Sequence, residues 1–286
     1  MEQKNKKYGL LIEKPKEEDY IFGASPLTYE ELQPDGNWTE FLPYKEIQNL
    51  NGIEPFACVS FTILNCLEIL IKRKYGIDTN WSDRFLAAIS GTGAGGNSPN
   101  AVSEFLRKLG VVPQEVWPFN EKVKSFEDFY SPIPDEIYTL AKDFLAEYDF
   151  KYEFVPVNND SIAKALKTSP LLLAVSAWYL KDSGIYFKPD GVEDNHATTL
   201  VAIKEGEYKR VFDSYADGEG DPYLKEYDWN ASHAVIMRFH IAKKEEEAKK
   251  NDTFYPPKEK ETNWVFDLVK VFWLAFVELL KMPFKK

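Results

Sequence analysis

A helical period of apolar residues runs from residue 58 to residue 73, where bulky side chains recur at spacings of three and four. The polar residues between them, Asn65, Glu68 and Lys72, are predicted to form the polar side of this helix. Cys58 stands at its beginning. The pattern therefore predicts a long, largely buried helix with a cysteine in its first turn.

Shorter amphipathic patterns predict helices over residues 101–109, 135–148 and 161–167, and Gly110 suits the C-terminal cap of the first. After residue 170 the periodicity becomes typical of strands. The strand-like segments are "LLLAVSAW", "HATTLVAIKE", "KRVFDSY" and "SHAVIMRFHI", the middle two joined by the turn "EGEY". Helices first and strands second indicate an α+β fold, with a helical half packed on an antiparallel sheet half.

Both ends of the chain differ from this central part. Residues 1–35 are predicted to be an irregular lead-in, because prolines repeatedly interrupt any helix. The globular domain is assigned to residues 36–242. Residues 243–263 read as a charged linker with little to bury, and residues 264–286 as an amphipathic C-terminal helix.

The C-terminal helix carries its charges on one narrow face, opposite bulky apolar residues. Its longest uninterrupted apolar stretch is seven residues, 271–277, whereas a transmembrane span needs about 20. We expect residues 264–284 to bind a partner protein or a membrane surface. A helix folded back onto the domain and a transmembrane helix are the alternatives.

Composition narrows the choice of partner and compartment. The net charge of −11 argues against a nucleic-acid partner, which requires clustered basic residues. The two cysteines are eight residues apart on one helix, too far for a disulfide, and free thiols fit a reducing compartment. With no apolar segment typical of a secretory signal near Met1, a cytoplasmic or particle-associated protein is expected.

Three residues could form a nucleophilic centre. A buried hydrophobic role is the ordinary one for a lone cysteine, but the start of a helix can lower a thiol pKa through the positive end of its dipole. His196 opens a strand 138 residues after Cys58, and Asp213 follows the strand predicted to pair with it. A thiol, an imidazole and an orienting carboxylate are the groups that nucleophilic catalysis requires.

At these residues the chain resembles the papain-like (C1-type) cysteine peptidases. Their reactive Cys heads the long central helix, as "CVSFT" does here, and their His starts a strand some 130–150 residues later. Two further passages are similar to the family's segments that precede its cleft and its histidine. They are "DRFLAAISGTGAGGNSPNAVSEFLRKLGVVPQEVWPF" and "SGIYFKPDGVEDNHATTLVAI". The resemblance covers residues 36 to 242. It is to a compact form of the family that lacks the long inhibitory prosegment. It implies a Cys58–His196–Asp213 triad.

The chain also departs from the family pattern. Asp213 stands where the family usually has Asn, and "DSYAD" replaces Asn-Ser-Trp-Gly, so that the shielding Trp is missing and a wetter site is expected. The family's oxyanion-hole glutamine lies shortly before its cysteine. Here Gln48 is ten residues upstream and Asn51 is seven, and both remain candidates, with Gln48 preferred.

No cofactor or metal is expected. The sequence "GTGAGG" over residues 91–96 matches G-x-G-x-x-G literally, but a predicted helix precedes it where a dinucleotide site needs a strand. The acidic residues of "DGEGD" over 217–221 are spaced like those of a calcium loop, but the glycine and the terminal glutamate of an EF-hand are missing at the required offsets. No close His/Cys cluster is present in the sequence to bind zinc.

Two functions are therefore open. The first is a papain-like cysteine hydrolase acting on peptide or amide bonds of a peptide or protein substrate. The second is a catalytically inactive papain-like domain with an assembly role, docked by its C-terminal helix. A cleft filled by the lead-in or by that helix would favour the second. Cys66, two turns beyond Cys58, is expected to be an inert core residue.

Overall fold

The central element of the fold is helix α1 (Cys58–Tyr75), which packs against a β-sheet on one side and helices on the other. In the computed structural model, residues 8–24, 29–215 and 223–244 are described. The predicted linker beyond residue 244, the predicted C-terminal helix 264–286 and the acidic loop 217–221 lie outside these residues.

Five further helices and eight strands complete the described fold. The helices are α2 (Asp83–Ile89), α3 (Pro99–Leu109), α4 (Phe126–Phe129), α5 (Asp135–Glu147) and α6 (Asn159–Leu166), with 3-10 turns at Thr39–Phe41 and Leu50–Gly52. The strands are β1 (Tyr148–Phe154), β2 (Leu171–Val175), β3 (Tyr179–Leu180), β4 (Tyr186–Phe187), β5 (His196–Lys204), β6 (Tyr208–Phe212), β7 (Leu224–Asp228) and β8 (Ile236–Lys243). The predicted α+β class is confirmed.

The strands form one sheet in the order β1-β8-β2-β5-β6-β7-β4-β3, antiparallel except between β4 and β7. Strands β5 and β6 form the predicted hairpin, turning at residues 205–207. A shift in register between Leu200 and Ala202 marks a β-bulge, which increases the local twist. The hairpin brings the beginning of β5 close to the end of β6.

The predicted polar side of α1 is mostly buried. Asn65 and Glu68 are buried, and every residue from Cys58 to Ile71 is closed to solvent. Because α1 is covered by β5 as well as by α2 and α3, its polar positions meet protein and not water. The Glu68 carboxylate accepts the backbone N–H of Trp81 at 2.7 Å, whereas Lys72 reaches solvent.

The sequence patterns also missed one long strand. The predicted helix over 135–148 ends at Glu147, and the chain continues directly as β1, which pairs with β8 along its whole length. Helix α6 begins at Asn159, and the preceding Asn158 caps it by accepting the N–H of Ser161 with its side chain. Within the described part of the chain, the helices are all too short or too polar to cross a membrane.

Candidate active site

Cys58 occupies the first turn of α1, where the helix dipole is positive. The preceding residue Ala57 accepts the N–H of Ser60 through its backbone, without a side-chain cap. The thiol is completely buried. Burial raises its pKa above the ordinary value, and the N–H groups of Ala197 and Val59 oppose that rise only in part. Cys58 is therefore held as a thiol in this arrangement.

His196 and Asp213 are in direct contact. Nε2 of His196 lies 2.6 Å from Oδ1 of Asp213, and both side chains are closed to solvent. Complete burial would raise the pKa of Asp213, but the nearby His196 and Lys225 hold it below its ordinary value. A carboxylate at Nε2 fixes the ring orientation and leaves Nδ1 as the nitrogen available for proton transfer.

The structure does not join Cys58 and His196 by a hydrogen bond. Nδ1 of His196 is buried and makes no hydrogen bond within the described residues. The next residue, Ala197, directs its backbone N–H towards the Cys58 thiol, so the beginning of β5 adjoins the beginning of α1. The imidazole nitrogen and the thiol thus belong to one region without a bond between them.

Three aromatic rings enclose His196. The ring centroids of Tyr215, Tyr8 and Trp178 lie 5.2, 5.4 and 5.6 Å from the imidazole centroid. The expectation of a wetter site is wrong, because Trp178 reaches His196 from the connection between β2 and β3 and Tyr8 from the lead-in. Neither ring is near His196 in sequence, so no local signal indicated them.

Lys225 is a further residue that the sequence did not reveal. It lies on β7, opposite Val211 of β6, and its ammonium group is 2.9 Å from Oδ2 of Asp213. The alternation of buried and partly exposed positions in "LKEYD" places Lys225 on the same buried face as Tyr227. That alternation was the available signal for the burial of Lys225. A lysine is nevertheless expected to be exposed unless a partner of opposite charge is known.

Gln48 contacts Ser214 and Tyr215, the two residues that follow Asp213, whereas Asn51 lies elsewhere. The Gln48 amide nitrogen is 2.8 Å from the Tyr215 hydroxyl, 3.2 Å from a Glu54 carboxylate oxygen and 3.4 Å from the backbone oxygen of Tyr8. Three acceptors compete for its two N–H groups. The Asn51 amide instead donates to backbone oxygens of the loop over residues 120–123.

Residues 8–13, which we call the strap, cover the site. The backbone N–H of Asn97 donates to the backbone oxygen of Gly9 at 2.9 Å, and the backbone oxygen of Asn97 accepts the N–H of Leu11 at 3.0 Å. The N–H of Leu10 reaches the backbone oxygen of Asn195 at 3.5 Å. The side chains of Tyr8 and Leu10 are buried. The lead-in therefore closes the region around His196 in this structure.

The strap fits only because one of its residues has no side chain. Gly9 has a φ of 107°, and a Cβ added to it would come within 2.0 Å of the backbone oxygen of Phe56. Likewise, a Cβ on Gly96 would come within 2.0 Å of the Gly9 oxygen. Part of the glycine-rich loop is thus explained by a close approach of two backbones.

Comparison with solved structures identifies the fold. Xylellain, a cysteine protease from Xylella fastidiosa, is 18% identical with a TM-score of 0.57, covering 81% of this chain and 95% of that one. Bromelain from Ananas comosus is 20% identical with a TM-score of 0.53, covering 71% and 96%. Digestive procathepsin L 3 of Tenebrio molitor is 16% identical with a TM-score of 0.53, covering 77% and 72%. No protein-family model and no curated protein matches the sequence. The predicted papain-like fold is confirmed.

Proposed function

We propose that this papain-fold chain is a cysteine hydrolase that cleaves peptide or amide bonds, with Cys58 as nucleophile. The observation that carries the proposal is the contact of His196 Nε2 with Asp213 Oδ1 at 2.6 Å, which leaves Nδ1 without a hydrogen bond to any of the described residues. An oriented imidazole with one nitrogen available, adjoining a thiol at a helix N-terminus, is the arrangement that thiol activation requires.

In the proposed reaction, Nδ1 of His196 takes the proton of the Cys58 thiol, and the thiolate sulfur attacks the substrate carbonyl carbon. The tetrahedral intermediate collapses to a thioester as the imidazolium gives its proton to the leaving amine. Water then attacks the thioester, His196 accepts one of its protons, and the carboxylic acid and the thiol are released. Asp213 orients the ring throughout.

The oxyanion donors are proposed to be the Gln48 amide and the backbone N–H of Cys58. Each such donor contributes about 3 kcal/mol to stabilising the transition state. The longest of the three Gln48 contacts, at 3.4 Å, is to the backbone oxygen of Tyr8 in the strap. Departure of the strap would remove this acceptor from the competition for the two Gln48 N–H groups and open the space above them to a substrate carbonyl oxygen, so we propose that hydrolysis requires the strap to leave.

The strap also supports a second function. A papain-fold domain retained for assembly has no need of an open cleft, and here Tyr8 lies on His196 while Gly9 fits tightly against Phe56. In this second proposal the strap is a permanent part of the core. Docking would then depend on the predicted C-terminal helix 264–286.

Hydrolysis of a mixed peptide library by the full-length chain distinguishes the two functions. Gly9→Ala should release the strap, so we expect cleavage by this variant and little by the unmodified chain. Adding Cys58→Ala should abolish cleavage, whereas adding Cys66→Ala, which removes the other buried thiol, should preserve it. A folded Gly9→Ala chain with Cys58 exposed to solvent and no cleavage would favour the assembly function.

A further inference from the structure

Lys225 is almost completely buried, at 4% exposure, and its charged end lies within the candidate site. Its Nζ is 2.9 Å from Oδ2 of Asp213 and 3.0 Å from the backbone oxygen of Tyr215, and it lies 5.1 Å from the ring centroid of Trp178. Lysine is rarely buried unless paired with an opposite charge. The position of Lys225 is thus explained by Asp213.

The two oxygens of Asp213 have different partners. Oδ1 meets Nε2 of His196 at 2.6 Å and accepts the N–H of Ser214 at 2.9 Å, whereas Oδ2 meets Lys225. The carboxylate and the ammonium together carry no net charge. The ion pair therefore offers His196 one acceptor oxygen and no net charge, as the side chain of a neutral amide does.

This electrostatic equivalence accounts for the departure at residue 213. The papain-like peptidases that the sequence resembles usually have a neutral Asn where this chain has Asp213. A lone buried carboxylate would carry a large desolvation cost and would add a negative charge beside the thiol. Asp213 already raises the pKa of Cys58, after the larger effect of burial. A cation on Oδ2 offsets both effects.

We propose that Lys225 is a positioning residue, which neutralises Asp213 so that the Asp213–Lys225 pair orients His196 as a neutral amide would. This inference rests on the proposed function, in which His196 exchanges a proton with Cys58. Lys225 itself does not touch the reacting atoms. The proposed effect on His196 passes through the charge of Asp213, so a second substitution at that residue should reverse it.

Other titratable groups face the same site and set the background against which Lys225 acts. Tyr8 on the strap and Tyr215 after β6 pack on His196, and Glu54 before α1 accepts the Tyr215 hydroxyl at 2.6 Å. Glu54 is a second negative charge. Without Lys225 no ammonium on Asp213 would offset the charge of the two carboxylates. They would then favour protonation of the imidazole and oppose ionisation of the thiol.

The test is a charge-pair rescue read on His196. In the full-length chain with 13C-labelled histidine, the ring signals of three histidines are followed against pH, and His196→Ala identifies the one of interest. Lys225→Met should move the midpoint of the His196 titration upward by about one pH unit, because a nearby charge shifts a titration by one to three units. The double variant Asp213→Asn/Lys225→Met should return it to within a few tenths of a unit of the parent.

An unchanged titration in Lys225→Met, or a double variant that fails to return towards the parent, would overturn the inference. If Lys225→Met does not fold, the same comparison is made with Lys225→Gln, whose amide can still donate to Oδ2 but carries no charge, and the midpoint should again move upward. The readout does not depend on Cys58. An unreactive Cys58 together with the predicted titrations would therefore reject the hydrolase and retain the role of Lys225.

Discussion

The imidazole of His196 and the carboxylate of Asp213 are 2.6 Å apart at one end of the β5–β6 hairpin, although 17 residues separate them in the chain. The bulge between Leu200 and Ala202 lies between these residues and the turn. A bulge changes the register and bends its strand, so it helps to set which residue of the second strand meets His196. The site thus depends on the hairpin as a whole.

The strap gives the first prediction. Gly9→Ala places a Cβ against the Phe56 backbone oxygen and forces an unfavourable φ, so the strap should leave its position. Water would then reach Cys58 and relieve the burial that raises its pKa. We expect alkylation of Cys58 at pH 7 to become at least about tenfold faster, a change that corresponds to about 1.4 kcal/mol. The rate is measured by peptide mass spectrometry.

Gly23→Ala is the matched control for this prediction. Gly23 also belongs to the lead-in and has a φ of 81°, but a Cβ added there meets nothing within 4 Å. The alkylation rate of Cys58 in this variant should equal that in the unmodified chain. Equal rates in Gly9→Ala and Gly23→Ala would show that the strap does not control access to Cys58.

A buried carboxyl cluster predicts an unusual dependence of stability on pH. Asp83 shares a side-chain hydrogen bond with Glu46, and Glu68 lies nearby. Burial, together with the repulsion among these groups, raises the pKa of both Asp83 and Glu68 well above the ordinary range. Both groups therefore favour the protonated form in the folded state.

A raised pKa in the folded state stabilises the protein below the ordinary carboxyl pKa of about 4, and that stability is lost as the pH rises through the raised value. The free energy of unfolding should fall over this range, by up to about 1.4 kcal/mol per pH unit for each proton. Asp83→Asn, which needs no proton, should flatten the slope in urea titrations, and exposed Asp182→Asn should not. Parallel slopes for all three chains would contradict this account.

A buried ion pair joins β1 to β8. Arg238 Nη1 lies 2.6 Å from a Glu153 oxygen, both side chains are nearly inaccessible, and the guanidinium lies 4.4 Å from the Tyr29 ring centroid. Glu153→Ala would leave a buried charge unpaired, so we expect it to lower the free energy of unfolding by about 3–5 kcal/mol. Denaturant titration measures the loss.

The control for this pair is the exposed contact of Lys204 with Glu207 in the β5–β6 turn. Glu207→Ala removes the same charge in a solvated position and should cost far less than Glu153→Ala, because an exposed ion pair contributes little to stability. Comparable losses in the two variants would show that burial does not determine the contribution of the Glu153 pair.

Elements with a clear apolar period were predictable from the sequence. The spacing of three and four identified α1, and two alternating segments around "EGEY" identified the β5–β6 hairpin. Strand β1 was missed because it follows α5 without a connecting turn, so that helix and strand patterns merge at Tyr148. The two-residue strands β3 and β4 are too short to show a period.

The candidate site was only partly predictable, for a physical reason. Cys58, His196 and Asp213 have chemistry that a sequence can suggest, and their spacing follows from one helix and one hairpin. Tyr8 and Lys225 take part through contacts between distant segments. Nothing near Tyr8 in the chain indicates its burial, and the alternation around Lys225 does not reveal the partner that allows a lysine to be buried. The burial of Glu68 on the polar side of α1 could not be predicted either, since periodicity cannot tell what covers a helix.

The measurement that tests the central claim most directly is the pH dependence of alkylation at Cys58 and Cys66, determined separately by peptide mass spectrometry. It is made in the Gly9→Ala chain with and without His196→Ala. We expect rapid labelling of Cys58 below pH 7 that is lost without His196, while Cys66 remains inert. Labelling of Cys58 with a midpoint near that of a free thiol, about 8.5, whether or not His196 is present, would contradict the thiolate–imidazolium pair.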